Sequence, residues 1–238
     1  AVSVKPEDTV IATKVRLDLP DEDSRPGQID IFAFENGDAG HLDSYQHIES
    51  FDGRNIEFRS QSGEKQVFIC TDGQRDIYGW AGVNSFESLD KIYLDLGKER
   101  REALCATAEG IINAGSGIIH HMELRKMASE VVLRSIRCDF NGTGYEGETI
   151  TDARIYLTNV NTQCALTADG HIVPMETANQ GGLDQDDVES FVEPDMIFRE
   201  MREDIGRKPS DVEMSFICYP NTSLREGPGT PFTRLVIE

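Results

Sequence analysis

The stretch Glu123–Phe140, ELRKMASEVVLRSIRCDF, satisfies two incompatible templates. From its front, Leu124, Met127, Ala128 and Val131 fall at i, i+3, i+4 and i+7, the apolar stripe of an amphipathic helix. From its back, Ile136, Cys138 and Phe140 alternate with Arg137, Asp139 and Asn141, as in a half-buried strand. A helix here would suit a mixed catalytic domain, whereas a strand would suit an all-β scaffold.

The flanking sequence speaks mostly for strands. VIATKVRLDLP (Val10–Pro20) alternates and stops at the acidic turn DEDSRPG. In IDIFAFENGDAGHLDSY, Ile29, Ile31 and Ala33 share one face and Asp30, Phe32 and Phe34 the other. NGDAG is turn chemistry, since Gly and Asn accept positive φ, so HLDSYQHIE reads as the returning strand of a hairpin. NIEFRS, GEKQVFICTDG and DKIYLDLG repeat this strand–turn pattern, as do TITDARIYLTNVN, QCALTADGHIV, DVEMSFICYPN and TPFTRLVIE. Helix signals are confined to Ser85–Ile92, where Ser85 can cap the first turn with Ser88 nearby, and Glu193–Gly206, with acids at its start and Gly206 as C′ residue. Neither alternates with strands as βαβ units do. INAGSGIIHH (Ile112–His121) is the one Gly/Ser-rich join in mid-chain and sets an expected boundary near Gly117–Met122.

The chain has 238 residues with a formal charge of −20, from 23 basic and 43 acidic side chains. Such a field repels nucleic acid and anionic lipid, so neither is expected as a partner. No apolar run approaches a membrane span. The five cysteines, at 70, 105, 138, 164 and 218, form no CxxC pair and show no metal-ligand spacing to a histidine. Cys70, Cys138 and Cys218 end apolar runs, where a free thiol packs as a small hydrophobe.

Catalytic constellations are missing from the sequence. It holds no GxSxG elbow, Walker loop or GxGxxG following a strand. NAGSG lacks the strand–loop–helix context of a phosphate cradle and reads as a flexible join. Adjacent His120 and His121 point to opposite sides of a strand and so cannot share one metal, and Asp184–Glu189 lacks EF-hand spacing. No carboxylate pair is singled out for glycosidase chemistry, and Asn141-Gly-Thr143 and Asn221-Thr-Ser223 read as turns despite matching the glycosylation sequon. The single Trp80, with Tyr78 and Tyr93, could form a stacking shelf for sugar, although a lone Trp at a turn is more often a core plug. No residue is assigned a catalytic, cofactor-binding or metal-binding role, and no enzymatic activity or cofactor is expected.

Taken in order, several stretches resemble the Bacteroidales fimbrillin-like family, the subunits of type V pili. IDIFAFENGDAGHLDSYQ (Ile29–Gln46) is similar to the family's opening strand, glycine turn and LDSY. GEKQVFICTDG, MELRKMASEVVLRSI, ARIYLTNVN and SFICYPN resemble later family segments in the same order, out to Pro220. The resemblance implies an all-β fold of two transthyretin-like (Greek-key) β-sandwich domains, here spanning 1–118 and 119–238, with one or two short helices. It also implies a fimbrial subunit, secreted as a lipoprotein precursor anchored through a cysteine upstream of residue 1, and residing at the outer membrane and fimbrium.

Family subunits polymerise by donor-strand exchange and support cell adhesion, so the implied partners are other fimbrial subunits joined head to tail, and a host or bacterial surface receptor. An Arg-specific protease removes the first strand, matched here by Val10–Leu19, and a neighbour's strand fills the groove. This sequence departs from the pattern twice. Its first connecting loop offers only Arg25, followed by Pro26, and a proline on the leaving side blocks trypsin-like cleavage. Family chains also continue past the position of Glu238 into a final strand. The alternative function is a surface carbohydrate-binding or adhesion module that does not polymerise.

Within this frame Glu123–Phe140 reads as the extended first strand of the second domain. Val131 and Leu133 share one parity, and Ile136, Cys138 and Phe140 the other. A continuous strand would expose one set, so a bulge or sheet crossing is expected near Ser135.

Overall fold

The computed structural model describes residues 10–20, 26–37, 40–51, 53–167, 176–221 and 232–238. The described residues are organised chiefly in β-strands, with three α-helices of four, five and six residues. The chain divides into two compact units: Ala1–Leu94 with Ala103–Met127 and Ala165–Val173, and Asp95–Glu102 with Ala128–Cys164 and Pro174–Glu238. A single cut between residues 118 and 119 is thus replaced by interleaved segments. Strand pairing is the reason, because Ile119–Glu123 lies parallel to Val10–Asp18 in the first unit instead of opening the second.

The first unit begins with β1 (Val10–Asp18), β2 (Ile29–Glu35), β3 (Leu42–Ile48), β4 (Asn55–Gln61) and β5 (Gly63–Thr71). A helical segment follows, with α1 (Arg75–Tyr78) and α2 (Phe86–Asp90), then the short β6 (Tyr93–Asp95). β7 (Ala106–Ala114), β8 (Ile119–Glu123) and β9 (Arg125–Lys126) complete it. One sheet has the order β3-β2-β5-β7-β9 and the other β4-β1-β8. The expected β2–β3 hairpin forms, pairing Ile29 with Ile48 and Phe32 with Tyr45. β4 and β5 are adjacent in sequence but belong to different sheets, and the chain turns between them at Gly63, whose φ is +112°. Val15 and Leu17 of β1, Ile56 and Phe58 of β4, Ile31 of β2 and Ile69 of β5 belong to one buried cluster, which packs the two sheets face to face.

β2 is buried on both faces. Ile29, Ile31 and Ala33 join that cluster, while Phe32 and Phe34 meet the helical segment on the other side. Phe34 packs edge-on against Phe86 of α2, with ring centroids 5.6 Å apart. The α2 cap follows its sequence signal: Ser85 Oγ accepts from the Ser88 amide, and Ser88 Oγ accepts from the Ser85 amide.

The second unit contains β10 (Ser129–Ile136), β11 (Arg154–Thr158), β12 (Val160–Asn161), β13 (Gln163–Ala165) and β14 (Thr177–Ala178). α3 (Gln185–Ser190), β15 (Phe198–Glu200), β16 (Ser210–Cys218) and β17 (Arg234–Ile237) follow. β10 pairs with β16, β12 with β14, and β11 lies between β15 and β17. Two asparagines in left-handed conformation tie the loops together. Asn179 donates from Nδ2 to Leu157 O at 2.9 Å, and Asn159 Oδ1 accepts from the Gly181 amide at 3.0 Å. The acidic run Asp184–Glu189 forms most of α3, capped by Asp184, whose side chain accepts from the Asp186 amide.

Glu193–Gly206 is not the expected helix. A single 3₁₀ turn at Pro194–Met196 gives way to β15, and Ile205 bridges to Ile150. Met196, Ile197, Met201 and Ile205 are all buried. Their backbone groups bond instead to the β11 region, including Met201 N–H to Ala153 O and Leu157 N–H to Ile197 O.

Glu123–Phe140 resolves as strand, but not as one strand. Glu123 ends β8, Leu124 is buried in the first unit, β9 pairs with β7, and β10 begins only at Ser129. The phase change is where parity placed it. Val131 and Leu133 are half-buried before it, and Ile136 and Cys138 are half-buried and buried after it. The register passes from Leu133↔Met214 to Ser135↔Asp211, so Val212 and Glu213 stand opposite Arg134 alone. The additional residue thus belongs to β16, and Glu213 takes a φ of +41°. We expect Glu213→Gly to be tolerated and Glu213→Val to cost about 1–3 kcal/mol, since a β-branched residue resists positive φ; chemical denaturation of the two variants measures the difference.

Candidate functional site

β1 has a central position that bears on function. It runs antiparallel to β4 from Val10↔Gln61 to Arg16↔Asn55, and parallel to β8 from Lys14↔Ile119 to Asp18↔Glu123. Its alternating sequence gives alternating burial: Thr13, Val15 and Leu17 are inside, while Ala12, Lys14, Arg16 and Asp18 are exposed. Burying Val15 and Leu17 stabilises the unit by about 1.5–3 kcal/mol each. Without β1, β4 and β8 would lose their common partner, and a slot would open beside Ile56, Phe58 and Met122. One part of the fit is poor. The Thr13 hydroxyl is buried with no hydrogen-bond partner among the described residues.

The residues singled out in the sequence scatter. Arg25 lies outside the described residues, and Pro26 is buried. His120 Nε2 lies 3.3 Å from Ser116 Oγ, whereas His121 Nδ1 lies 3.5 Å from Asp18 Oδ2 in an exposed pair. As neighbours on β8 the two imidazoles face opposite ways, so serine, histidine and carboxylate do not converge. Cys70, Cys105, Cys138 and Cys218 are buried thiols, and burial raises the Cys218 pKa. Among the described residues, no group of three or more His, Cys, Asp or Glu is placed to hold a metal ion, and no helix is long and apolar enough to cross a membrane.

Trp80 does not form a stacking shelf. It is 4 % exposed and meets Phe32 edge-on at 5.7 Å, with its ring over Gly73. This is a core role. Tyr78 is half-buried and Tyr93 exposed, and neither lines the pocket beside Trp80. The exposed ring there is Tyr45, which lies in the hairpin's return strand and carried no sequence signal for binding. Its Oη donates to Asp30 Oδ1 at 2.6 Å, and His47 Nδ1 lies 2.8 Å from the same oxygen. Burial, then the hydrogen bond to Asp30, raises the Tyr45 pKa, so the phenol stays a donor.

No protein-family model matches the chain, and no curated protein matches it. Solved structures do. A candidate cell adhesion protein from Bacteroides eggerthii superposes with a TM-score of 0.68 at 16 % identity, covering 98 % of this chain and 75 % of that one. The tip fimbrial protein Mfa3 of Porphyromonas gingivalis, truncated at its C-terminus, gives 0.55 at 10 % identity, covering 96 % and 78 %. A fimbrilin of the same organism gives 0.51 at 8 % identity, covering 68 % of this chain and 53 % of that chain.

Two substitutions test the packing described above. Thr13→Val should stabilise the chain by about 1 kcal/mol, because the orphaned hydroxyl is replaced by a methyl group of similar size. Gly73→Ala should destabilise it by about 1–3 kcal/mol, since an added Cβ would strike the Trp80 ring. Thermal melts of both variants check these outcomes. The chain therefore has the all-β fold that the fimbrilin, the tip fimbrial protein and the Bacteroides adhesion candidate share.

Proposed function

We propose that the chain is a structural subunit of a cell-surface fimbria, joined to neighbouring subunits by donor-strand exchange and supporting adhesion. The observation that carries this reading is the placement of β1. The first described strand sits between two partners and sends alternate side chains into the core, which is the geometry by which a strand from another subunit could take its place. The fold shared with a fimbrilin and a tip fimbrial protein supports the same reading. On this proposal the two units are transthyretin-like sandwiches, the partners are other fimbrial subunits, and the protein resides at the outer surface as a lipid-anchored precursor product. The charge of −20 keeps isolated subunits apart and disfavours nucleic acid as a partner.

The test is strand complementation. A chain beginning at Pro26 is refolded with and without a synthetic peptide of Val10–Leu19. Exchange predicts that the peptide restores a cooperative thermal transition and co-purifies with the chain. A Leu17→Asp peptide should fail, because it would place an unpaired carboxylate in the core. Identical melting with and without the native peptide, or equal rescue by the Leu17→Asp peptide, would refute the proposal.

A further inference from the structure

We propose that the half-open pocket on the outer face of β2 and β3 is a binding subsite for one neutral pyranose unit of a glycan. Its volume is about 470 Å³, within the range of small-ligand sites. Phe32, Trp80 and Val83 contribute apolar wall, Tyr45 contributes a ring that is 43 % exposed, and Arg75 and Asp76 supply polar groups. An aromatic ring beside a few directed polar groups matches a sugar, which presents C–H faces to the ring and hydroxyls to its edges.

The ring is held in place before any ligand arrives. Tyr45 packs on Phe32 with centroids 4.8 Å apart, its Oη donates to Asp30, and Arg75 Nη1 donates to the same Oη at 3.5 Å. Asp30 is completely buried in the central part of the sheet, and its Oδ2 has no partner among the described residues. A buried carboxylate is costly to the fold. Here its visible effect is to fix Tyr45 and His47 from across the β2–β3 pair. Such fixing removes an ordering cost from ligand binding.

Trp80 lines the pocket, and its Nε1–H is buried away from solvent. The charges favour a neutral ligand, because Arg75 and Asp76 are adjacent in sequence with opposite sign and the chain as a whole is strongly anionic. The pocket's open side would let the rest of a glycan extend into solvent.

Trp80 is the only tryptophan, so intrinsic fluorescence reports on this pocket directly. The intact chain is titrated with the methyl glycosides of glucose, galactose, mannose and N-acetylglucosamine, and with glucuronate and sialic acid. At least one neutral sugar should give a saturable change. Its affinity should fall at least about tenfold in Tyr45→Ala and in Arg75→Ala, and less in Tyr45→Phe, which keeps the ring. Arg75 is half-buried and its guanidinium makes one long hydrogen bond, to Tyr45 Oη, so Arg75→Ala should keep a melting temperature close to wild type, and a melt of this variant separates binding from folding. The proposal fails if no neutral sugar gives a saturable change, if affinity is unchanged in both alanine variants, or if the anionic sugars bind more tightly than every neutral one.

Discussion

The first unit depends on backbone pairing along both edges of β1. β4 and β8 lie on either side of it, and no other described strand extends that sheet. β1 therefore has two tasks at once: its backbone closes the hydrogen-bond ladder between β4 and β8, and its inward Val15 and Leu17 pack in one cluster with Ile31 and Ile69. Hydrogen bonding fixes where the strand lies, and burial supplies much of the stabilisation. β1 contributes both.

β2 is constrained differently. With neighbours on both edges and packing on both faces, it has almost no contact with water, yet it carries Asp30. That carboxylate is accommodated because Tyr45 and His47 on β3 converge on it. The same convergence fixes an exposed aromatic ring beside Trp80. Packing and recognition on this face consequently share residues, and a change at Asp30 would be felt in both.

Strand content was legible because alternation is a local property. VIATKVRLDLP, IDIFAFE and the hairpin through NGDAG became β1, β2 and β3 as read, and Ser85 capped α2 as read. The parity argument even located the irregularity near Ser135. It did not reveal which strand carries the additional residue, because register belongs to a pair of strands and one sequence segment holds only half of it. Glu193–Gly206 failed for a related reason: its buried methionines and isoleucines fit a helix, but the β11 region supplied backbone partners that local spacing does not register. The pocket was missed because its members come from β2, β3 and the α1 segment, and only Trp80 was conspicuous.

The sequence by itself determined the all-β class, the two-sided character of β2 and the alternating first strand, since each follows from the period of side chains along one segment. Tertiary structure alone decided that β8 pairs with β1, which moves the unit boundary beyond Glu123, and that Tyr45 is the exposed ring beside Trp80, whose core role the sequence already favoured. These outcomes turn on which distant segments meet, and for Glu123–Phe140 that meant division between two units at a point where its own residues carry no signal.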